Sequence, residues 1–428
     1  MVLFLSSFVV FLTIGVPIAL ALGLGAAAYL VFTGNPGLLL AFPQRLISGI
    51  DQFVLLTIPL FLLAGNLMNS GGITDRIVRF SRAYVGQVRG GLSMVTVVAS
   101  MFFSGVSGAA TAEAAALGAV LIPAMEKEGY DRDYAAALTA VSSVIGPIIP
   151  PSIIMIIYAV LSGTSIAALF LAGIVPGIML GGGLMAYAWW VAKRRDYPVS
   201  RHVKMTERAV ATVEAFPALM VPVIILGGIL SGMFTPTESA AVAVIYTFLI
   251  SAFLYRTLKW RELWRPLVDT AMVSSGIMVI VAMASMVSFV FAFESIPARI
   301  AGAMMQLTAD KTLLLLLING FLLVLGMFLE PIAAMILSMP VLITVVHALH
   351  MDLTHFGMIV VLNLVIGLAT PPVGLCLFIV CSIGRVPFEQ VSRASLPMLG
   401  ICIVVLLLVT FFPDLVLFIP HLFLGPER

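Results

Sequence analysis

Two short segments interrupt long apolar runs in the same way, and they limit what this chain can fold into. Gly146-Pro147-Ile148-Ile149-Pro150-Pro151 and Gly367-Leu368-Ala369-Thr370-Pro371-Pro372 each place a glycine four residues before a Pro-Pro pair. Proline lacks a backbone N–H and clashes with the carbonyl four residues back, so a helix breaks at such a pair. The sequence therefore predicts two broken helices, over about 134–160 and 354–380, whose glycines lie 221 positions apart.

The composition excludes a soluble globular fold. The 428 residues are 61% hydrophobic and only 10% charged, whereas soluble proteins carry about 25% charged residues. We therefore expect an all-α polytopic membrane protein. The start of the chain has no basic region or cleavage site typical of a signal peptide, so we expect a membrane segment over 3–33, which Gly15-Val16-Pro17 would divide into two short helices. There is no phosphate-loop lysine motif and no catalytic triad within the apolar runs, so we expect no enzyme.

Two further apolar segments, about 93–125 and 312–345, predict re-entrant helical hairpins. Each is long enough for two half-spans and has a polar or proline-bearing interruption near its middle. Gly105 and Gly326 share the offset of 221, which supports a repeat. Pro123 and Pro340 differ by 217, so we expect the second hairpin to be four residues shorter.

The charges predict that the repeat is inverted. Lysines and arginines crowd four connections, at 76–89, 193–208, 256–265 and 385–393, and such connections stay in the cytoplasm. The two hairpins must then open to opposite sides, and both chain ends lie outside if the chain turns at residues 15–17. We expect a first repeat over 1–192, a cytoplasmic linker over 193–215 and a second repeat over 216–428.

Two segments alternate basic or polar residues with large apolar ones, at 73–88 and 256–266. Such a pattern is typical of a segment that lies in the membrane interface, in contact with lipid. We expect these amphipathic arms to anchor a stationary part of the protein.

The hairpins and broken helices together predict cation sites. A carbonyl that loses its helical hydrogen bond in hydrocarbon needs protein, water or an ion, and the C-terminal end of a half-helix adds partial negative charge. Small residues and hydroxyls at the hairpins supply further oxygens. The predicted sodium ligands are Ser104, Ser107, Gly108, Gly146 and Pro147 in the first half and Gly326, Glu330, Gly367 and Thr370 in the second. The alternatives are small-residue packing in the first hairpin and proline kinks that hold no ion.

For several other polar residues we weigh more than one role. A carboxylate at bilayer depth costs about 2.5–3.5 kcal/mol on insertion scales, so Glu330 is either an ion or proton site or a solvated loop residue. Glu113 and Glu238 invite the same hypothesis more weakly. We expect His347, His350 and His355 to be solvated loop side chains, because no acidic or cysteine complement accompanies them. Cys376, Cys381 and Cys402 lie in apolar segments, where we expect packing and no disulfide.

Several of these motifs together resemble a known family, the large membrane subunit of tripartite ATP-independent periplasmic (TRAP) transporters. The resemblance covers essentially the whole chain. It rests on four motifs: Ser104-Gly105-Val106-Ser107-Gly108, Ile122-Pro123-Ala124-Met125, Gly146 to Ser152, and Thr370-Pro371-Pro372-Val373-Gly374. Two departures are visible. Ala109 and Ala110 stand where the family often has serines, and Cys376 stands where it commonly has asparagine.

The resemblance implies an elevator-type symporter of the bacterial inner membrane that is driven by a sodium gradient. It also implies a small four-helix membrane subunit and a periplasmic binding protein that delivers an organic acid. A scaffold would surround a moving transport domain built from the hairpins and broken helices. We expect the substrate between the hairpin tips, near Ser107, Ala109, Pro150, Ser152, Pro331 and Pro371. The alternatives are a single-subunit sodium/dicarboxylate or citrate carrier, a structural membrane subunit without a substrate site, and an intramembrane enzyme, for which no catalytic set is found.

Overall fold

The computed structural model describes residues 2–199, 203–259, 262–297, 299–300, 302 and 310–425, and of Val2, Val106 and Ser107 only the backbone. Within these ranges all regular structure is helical, apart from one isolated bridge between Arg89 and Val199. Eight of the described helices are long and apolar enough to cross a membrane. The chain is therefore the all-α polytopic protein that its composition predicts.

Both broken helices are present where the Pro-Pro pairs predict them. The first runs over Arg132–Ser142 with a short 3-10 turn at Ser143–Ile145, and resumes over Ile153–Ser162. The second runs over Leu353–Gly367 and resumes over Leu375–Gly384. Prolines cannot donate the hydrogen bonds that would carry a helix across 146–152 or 368–374. Each half therefore has a stretch of irregular backbone in the middle of the molecule.

Two helical hairpins accompany the broken helices. Hairpin 1 consists of Gly91–Ser107 and Ala110–Lys127, and hairpin 2 of Lys311–Phe328 and Pro331–Ala348. Gly108 turns the first tip with a φ of 58°, in the left-handed region that favours glycine. The second tip is Leu329-Glu330, followed by Pro331 at the first helical position, where its fixed φ suits a helix start.

The expected shortening of hairpin 2 is wrong. The helix after the tip has 18 residues in each hairpin. Pro123 and Pro340 both lie inside these helices, but Pro340 lies about one turn closer to its tip. The position of a proline inside an apolar helix therefore predicts neither where that helix ends nor how the two hairpins align with each other.

The two hairpins open at opposite ends of the molecule. The open end of hairpin 1 lies at the basic end, where Glu128 accepts a hydrogen bond from Arg82 at 2.5 Å. The open end of hairpin 2, at Lys311, lines a cavity together with Phe411. Phe411 ends the 24-residue helix Phe388–Phe411, which is roughly 36 Å long and starts near the basic end. This geometry matches an inverted repeat; the depth of each hairpin in a bilayer stays a prediction.

The helices can be divided into two sets, which also pack on each other, most closely where Ile73–Val85 meets Gly91–Ser107. The scaffold set is joined by hydrogen bonds between Thr57 and Thr237, at 2.8 Å, and from Asn66 to Thr270, at 2.9 Å. It consists of Val2–Thr13, Ile18–Phe32, Phe42–Ile50, Thr57–Ser70, Ile73–Val85, Met205–Leu230, Pro236–Leu249 and Trp264–Phe293.

The core set surrounds the hairpins and broken helices. Asn363 donates to Asn319 at 2.6 Å and Asn319 to Thr410 at 3.1 Å, which ties hairpin 2, the second broken helix and the helix after it together. This set consists of both hairpins, both broken helices, Ile166–Arg194, Phe388–Phe411 and Asp414–Leu424.

The first predicted span is two helices, Val2–Thr13 and Ile18–Phe32, separated at Gly15, whose φ is 86°. The arm at 73–88 is a helix over Ile73–Val85, with Ile73 and Ile77 buried and Tyr84 exposed. The arm at 256–266 is irregular over 256–259, and Trp264 begins a long helix; Trp260 and Arg261 lie outside the described residues.

Ion pairs join the basic connections at one end of the molecule. Arg89 pairs with Asp196, and Arg195 donates to Asp131 at 2.6 Å. The Tyr197 hydroxyl, together with Arg195, holds the pKa of Asp131 below its usual range. The helix Ile166–Arg194 ends just inside the predicted linker at 193–215, and the helix Met205–Leu230 begins within it. The linker is therefore helical at both of its ends.

Candidate functional site

A cavity of about 370 Å³ lies between the two hairpin tips. Both sequence-predicted tips contribute to it: Gly108 and Ala109 from hairpin 1, and Glu330 and Pro331 from hairpin 2. The opposite wall comes from the scaffold, through Ile18, Leu62, Met272, Val273, Gly276, Ile277 and Ile280. The cavity is therefore lined by both helix sets and is of a size that suits a small organic molecule.

Three helices begin at this cavity. Ala110 starts the second helix of hairpin 1, Ile153 starts the second half of the first broken helix, and Pro331 starts the second helix of hairpin 2. A helix N-terminus has a partial positive charge. At the helices that start at Ile153 and Pro331, the Ser152 hydroxyl and the Glu330 carboxyl group already accept backbone N–H groups. No lysine or arginine is among the described residues that line the cavity. The positive potential on the chain itself thus comes from these helix ends, which is the arrangement that binds anions.

Glu330 has a defined role at the second tip. Its Oε2 accepts hydrogen bonds from the backbone N–H groups of Ile332, at 3.0 Å, and Ala333, at 3.2 Å. It is thus the N-cap of a helix, and its other oxygen has no hydrogen bond among the described residues. The side chain is half-buried at the cavity.

Ser104 lies at the centre of an oxygen cluster in the first half. Its Oγ is 3.2 Å from the carbonyl oxygen of Ile145, 2.8 Å from that of Gly146 and 3.0 Å from that of Ile149. A hydroxyl carries a single proton, so it satisfies only one of these acceptors at a time. Four oxygens therefore converge with one hydrogen between them, in a fully buried place beside the break in the helix. Such a set suits a hard cation.

The second half brings backbone against backbone at the corresponding place. A Cβ built on Gly367 would lie 2.4 Å from the carbonyl carbon of Gly326. The Gly367 carbonyl accepts the Thr370 N–H at 3.0 Å, and the Thr370 hydroxyl donates to Ile366 at 2.7 Å. The predicted ligands Gly326, Gly367 and Thr370 thus lie together, but with fewer converging oxygens than around Ser104.

Only some of the predicted substrate residues line the cavity. Ala109 and Pro331 line the cavity, whereas Pro150, Ser152 and Pro371 do not. The Ser152 hydroxyl accepts the Met155 N–H at 3.3 Å as a helix cap. The side chain of Ser107 lies outside the described part of the chain. Pro147 is buried next to Gly146.

Other polar predictions have mixed outcomes. Glu238 closes a capping box with Thr235, and Glu113 is fully buried. The expectation of solvated histidines is wrong for His355, which is 3% exposed and lies with its Nε2 2.8 Å from the Val409 carbonyl. Cys376 and Cys402 are buried, as expected for packing residues, and Cys381 is half-buried.

The apolar wall of the cavity was missed by sequence reasoning. Leu62 and Ile277 lie on helices of the scaffold set, where an apolar residue that faces a cavity looks like one that faces lipid. The position of the Ile149 carbonyl beside Ser104 could have been predicted from the sequence, because Ile149 directly precedes the Pro-Pro pair.

Comparisons with known proteins agree with this architecture. Residues 5–415 match the family model described as "Tripartite ATP-independent periplasmic transporter, DctM component". The chain is 41% identical to the sialic acid TRAP transporter large permease protein SiaM of Vibrio cholerae, over 96% of each protein. It is 38% identical to the C4-dicarboxylate TRAP transporter large permease protein DctM of Pseudomonas aeruginosa, over 94% of each.

Among solved structures, the crystal structure of the Alcanivorax borkumensis YdaH transporter has a similar fold. The TM-score is 0.62 at 14% sequence identity, and the match covers 89% of both chains. The resemblance that the motifs indicate is thus confirmed: the chain belongs to the DctM family of TRAP transporters, as a large permease subunit of the bacterial inner membrane and not an enzyme.

Proposed function

We propose that the chain imports a carboxylate-bearing organic acid by sodium symport. The observation that carries this proposal is the cavity at which three helix N-termini meet without a lysine or arginine among its described lining residues. Helix ends alone supply a modest positive potential. Cations bound nearby add to it, so the anion and its coupling ions favour each other's binding.

The coupling ions occupy two places in this proposal. One sodium ion binds at the oxygen cluster of Ser104 with Ile145, Gly146 and Ile149. A second binds between Gly326–Pro331 and Gly367–Pro371, where the Gly367 carbonyl still has a free lone pair. Neither place requires a carboxylate ligand, which is typical of sodium sites built on broken helices.

The acid binds between the tips, in contact with Ala109 and Pro331. Sialic acid and C4-dicarboxylates, which name two of the relatives, both carry carboxylates. Access alternates when the core set, with both hairpins and broken helices, moves as a body against the scaffold set. The position of the cavity between the two sets supports this elevator movement, because the acid would bind at the surface along which they move.

We propose two protein partners. The family name describes a tripartite periplasmic transporter, so we expect a small four-helix membrane subunit beside the scaffold and a periplasmic binding protein that delivers the acid. The apolar outer face of the scaffold and its surrounding lipid would hold the small subunit.

Uptake by proteoliposomes tests the proposal. The chain is reconstituted with a small membrane subunit and a binding protein from the same genome, and radiolabelled sialic acid or a C4-dicarboxylate is supplied outside. We expect uptake only with an inward sodium gradient and with the binding protein present. Uptake that continues when choline replaces sodium would overturn the coupling ion.

The same experiment separates the alternatives. Uptake by this chain alone, without either partner, indicates a single-subunit carrier. Failure of the complete assembly to transport any tested acid, although the partners bind, indicates a structural subunit.

A further inference from the structure

Another cavity, of about 390 Å³, lies at the open end of hairpin 2. Its walls come from three parts of the core set: the start of Lys311–Phe328, the connection into Leu353–Gly367, and the end of Phe388–Phe411. Lys311 is roughly 25 Å along its helix from the tip of hairpin 2. The cavity is therefore separate from the substrate and sodium sites, at the end of the molecule that the basic connections predict to be outside.

The described walls of this cavity carry one charge of each sign. Lys311 supplies the positive charge and Asp352 the negative one, from different elements. No ion pair joins these two side chains in the described part of the chain, although both line the same space. A ligand that has an anionic and a cationic group a few ångströms apart would satisfy both charges at once.

Hydrogen bonds hold the polar walls in position. Asp352 Oδ1 accepts the backbone N–H of His355 at 2.8 Å, and its second oxygen has no hydrogen bond among the described residues. The buried His355 ring lies with Nε2 2.8 Å from the carbonyl oxygen of Val409. His350 lines the same cavity, with a φ of 47°, and its ring can donate to an anionic oxygen. The carboxylate is therefore set in place before a ligand arrives.

An exposed apolar surface begins directly below the cavity. The helix Lys311–Phe328 is long and apolar enough to cross a membrane, and a stripe of large side chains on it is exposed: Leu313, Leu316, Leu317, Phe321 and Val324. Phe411 and Phe412, at the opposite wall, are exposed as well. A lysine at the end of such a helix reaches the headgroup level of the bilayer. A polar cavity above an apolar surface has the polarity of a lipid, with a headgroup above its acyl chains.

We propose that this cavity binds the headgroup of phosphatidylethanolamine from the outer leaflet. The lipid phosphate binds Lys311 and His350, its primary ammonium group donates to Asp352, and its acyl chains lie along the exposed stripe of Lys311–Phe328. An ammonium–carboxylate hydrogen bond is of the strong, charge-assisted kind.

The two charges select among lipids. An anionic lipid such as phosphatidylglycerol would pair with Lys311 but would bring no cation to Asp352. Phosphatidylcholine carries both charges, but its quaternary ammonium group has no N–H to donate. Phosphatidylethanolamine alone among these three supplies both a phosphate and a hydrogen-bond donor.

Native mass spectrometry of the purified full chain tests the proposal. The chain is titrated in detergent with phosphatidylethanolamine, phosphatidylcholine or phosphatidylglycerol that have the same acyl chains, and the affinity for the first bound lipid is determined. We expect the wild type to prefer phosphatidylethanolamine over phosphatidylcholine about fivefold or more, because hydrogen bonds to charged groups are the stronger ones.

Two substitutions divide the contributions of the two charges. Asp352→Asn keeps an oxygen that can cap the helix and should lower the affinity for phosphatidylethanolamine to that for phosphatidylcholine. Lys311→Gln should weaken the binding of both lipids, because both carry the phosphate. Asp414→Asn and Lys127→Gln are the matched controls, since neither residue lines the cavity, and they should keep the wild-type affinities.

Three outcomes would overturn the lipid site. The first is a wild type that does not prefer phosphatidylethanolamine, and the second is a preference that persists in Asp352→Asn. The third is unchanged lipid affinity in both cavity variants together with uptake that falls only when the binding protein is present, which would make the cavity a docking contact for that protein. Failure of the proposed sodium symport would leave these affinities unchanged, because every described wall belongs to the core set and lies away from the sodium sites.

Discussion

At the residue scale, the surroundings of a single hydroxyl group determine what it can bind. Ser104 and Ser338 are both buried hairpin serines, but their surroundings differ. Ser338 donates to carbonyl oxygens of its own helix, at Ala334 and Met335. Ser104 reaches three carbonyl oxygens of the broken helix across from it. The same residue type therefore packs a helix in one place and completes an oxygen cluster in the other.

Ser104→Ala should weaken the apparent sodium affinity of uptake about tenfold, which corresponds to about 1.4 kcal/mol. The substitution removes one of four converging oxygens and leaves the three carbonyl groups in place. Sodium dependence of uptake in proteoliposomes measures the effect. Ser338→Ala is the matched control, and its sodium dependence should equal that of the wild type.

Loss of a buried hydrogen bond also destabilises a protein by about 0.5–1.5 kcal/mol, and both serine variants share that cost. Unfolding temperatures therefore cannot separate them, whereas sodium affinity can. Equal sodium affinities in the two variants would contradict a ligand role for Ser104.

At the scale of elements, close backbone contact fixes how hairpin 2 packs against the second broken helix. Hairpin 2 and the second broken helix meet at Gly326 and Gly367, with no side chain between them. A Cβ at position 367 would lie 2.6 Å from the Gly326 carbonyl oxygen, and backbone atoms cannot move aside as a flexible side chain does. The hairpin tip is therefore held in place by glycine at both positions.

Gly367→Ala should destabilise the protein by about 1–3 kcal/mol, the cost typical of overpacking, and should abolish uptake by displacing the second tip. Gly320→Ala, on the same hairpin, has no atom within 4 Å of its added Cβ. It should be neutral or slightly stabilising, because alanine is the better helix former. Thermal unfolding and uptake measure both variants, and an unchanged unfolding temperature in Gly367→Ala would contradict the close contact.

Much of the element order could be predicted because its signals are local. The Pro-Pro pairs break helices whatever surrounds them, and Gly108 can take the left-handed turn that a hairpin tip needs. The length of hairpin 2 was mispredicted, since Pro340 is accommodated inside a helix as Pro123 is. Long-range contacts carry no local signal: His355 is buried, and its Nε2 lies 2.8 Å from the carbonyl oxygen of Val409, 54 positions away.

The candidate site, like the element order, could be predicted from the sequence only in part. The tips were found because small and polar residues interrupt apolar runs there. The scaffold wall at Leu62 and Ile277 could not be found, because hydrophobicity does not distinguish a cavity from lipid. Glu113 was predicted from the sequence only weakly, as an ion or proton site; its proximity to Gly146 is a property of the fold.

At the scale of the whole molecule, an ion pair between described residues joins the two helix sets. Arg82, on the scaffold arm Ile73–Val85, donates to Glu128 next to hairpin 1 at 2.5 Å. Arg79, on the same arm, pairs at 3.1 Å with Glu214 of the scaffold helix Met205–Leu230. The two pairs are alike in chemistry, but only the first connects the core set to the scaffold.

Cross-linking these pairs tests whether the core set moves. In a background with Cys381→Ser, the double variants Arg82→Cys with Glu128→Cys and Arg79→Cys with Glu214→Cys are joined by a short bifunctional thiol reagent. The first cross-link should stop uptake almost completely, because it fixes hairpin 1 to the scaffold, and a reducing agent should restore it. The second lies within the scaffold and should leave uptake unchanged. If uptake continues at full rate through the first cross-link, transport does not need relative movement of the two sets at this point, and the elevator proposal fails.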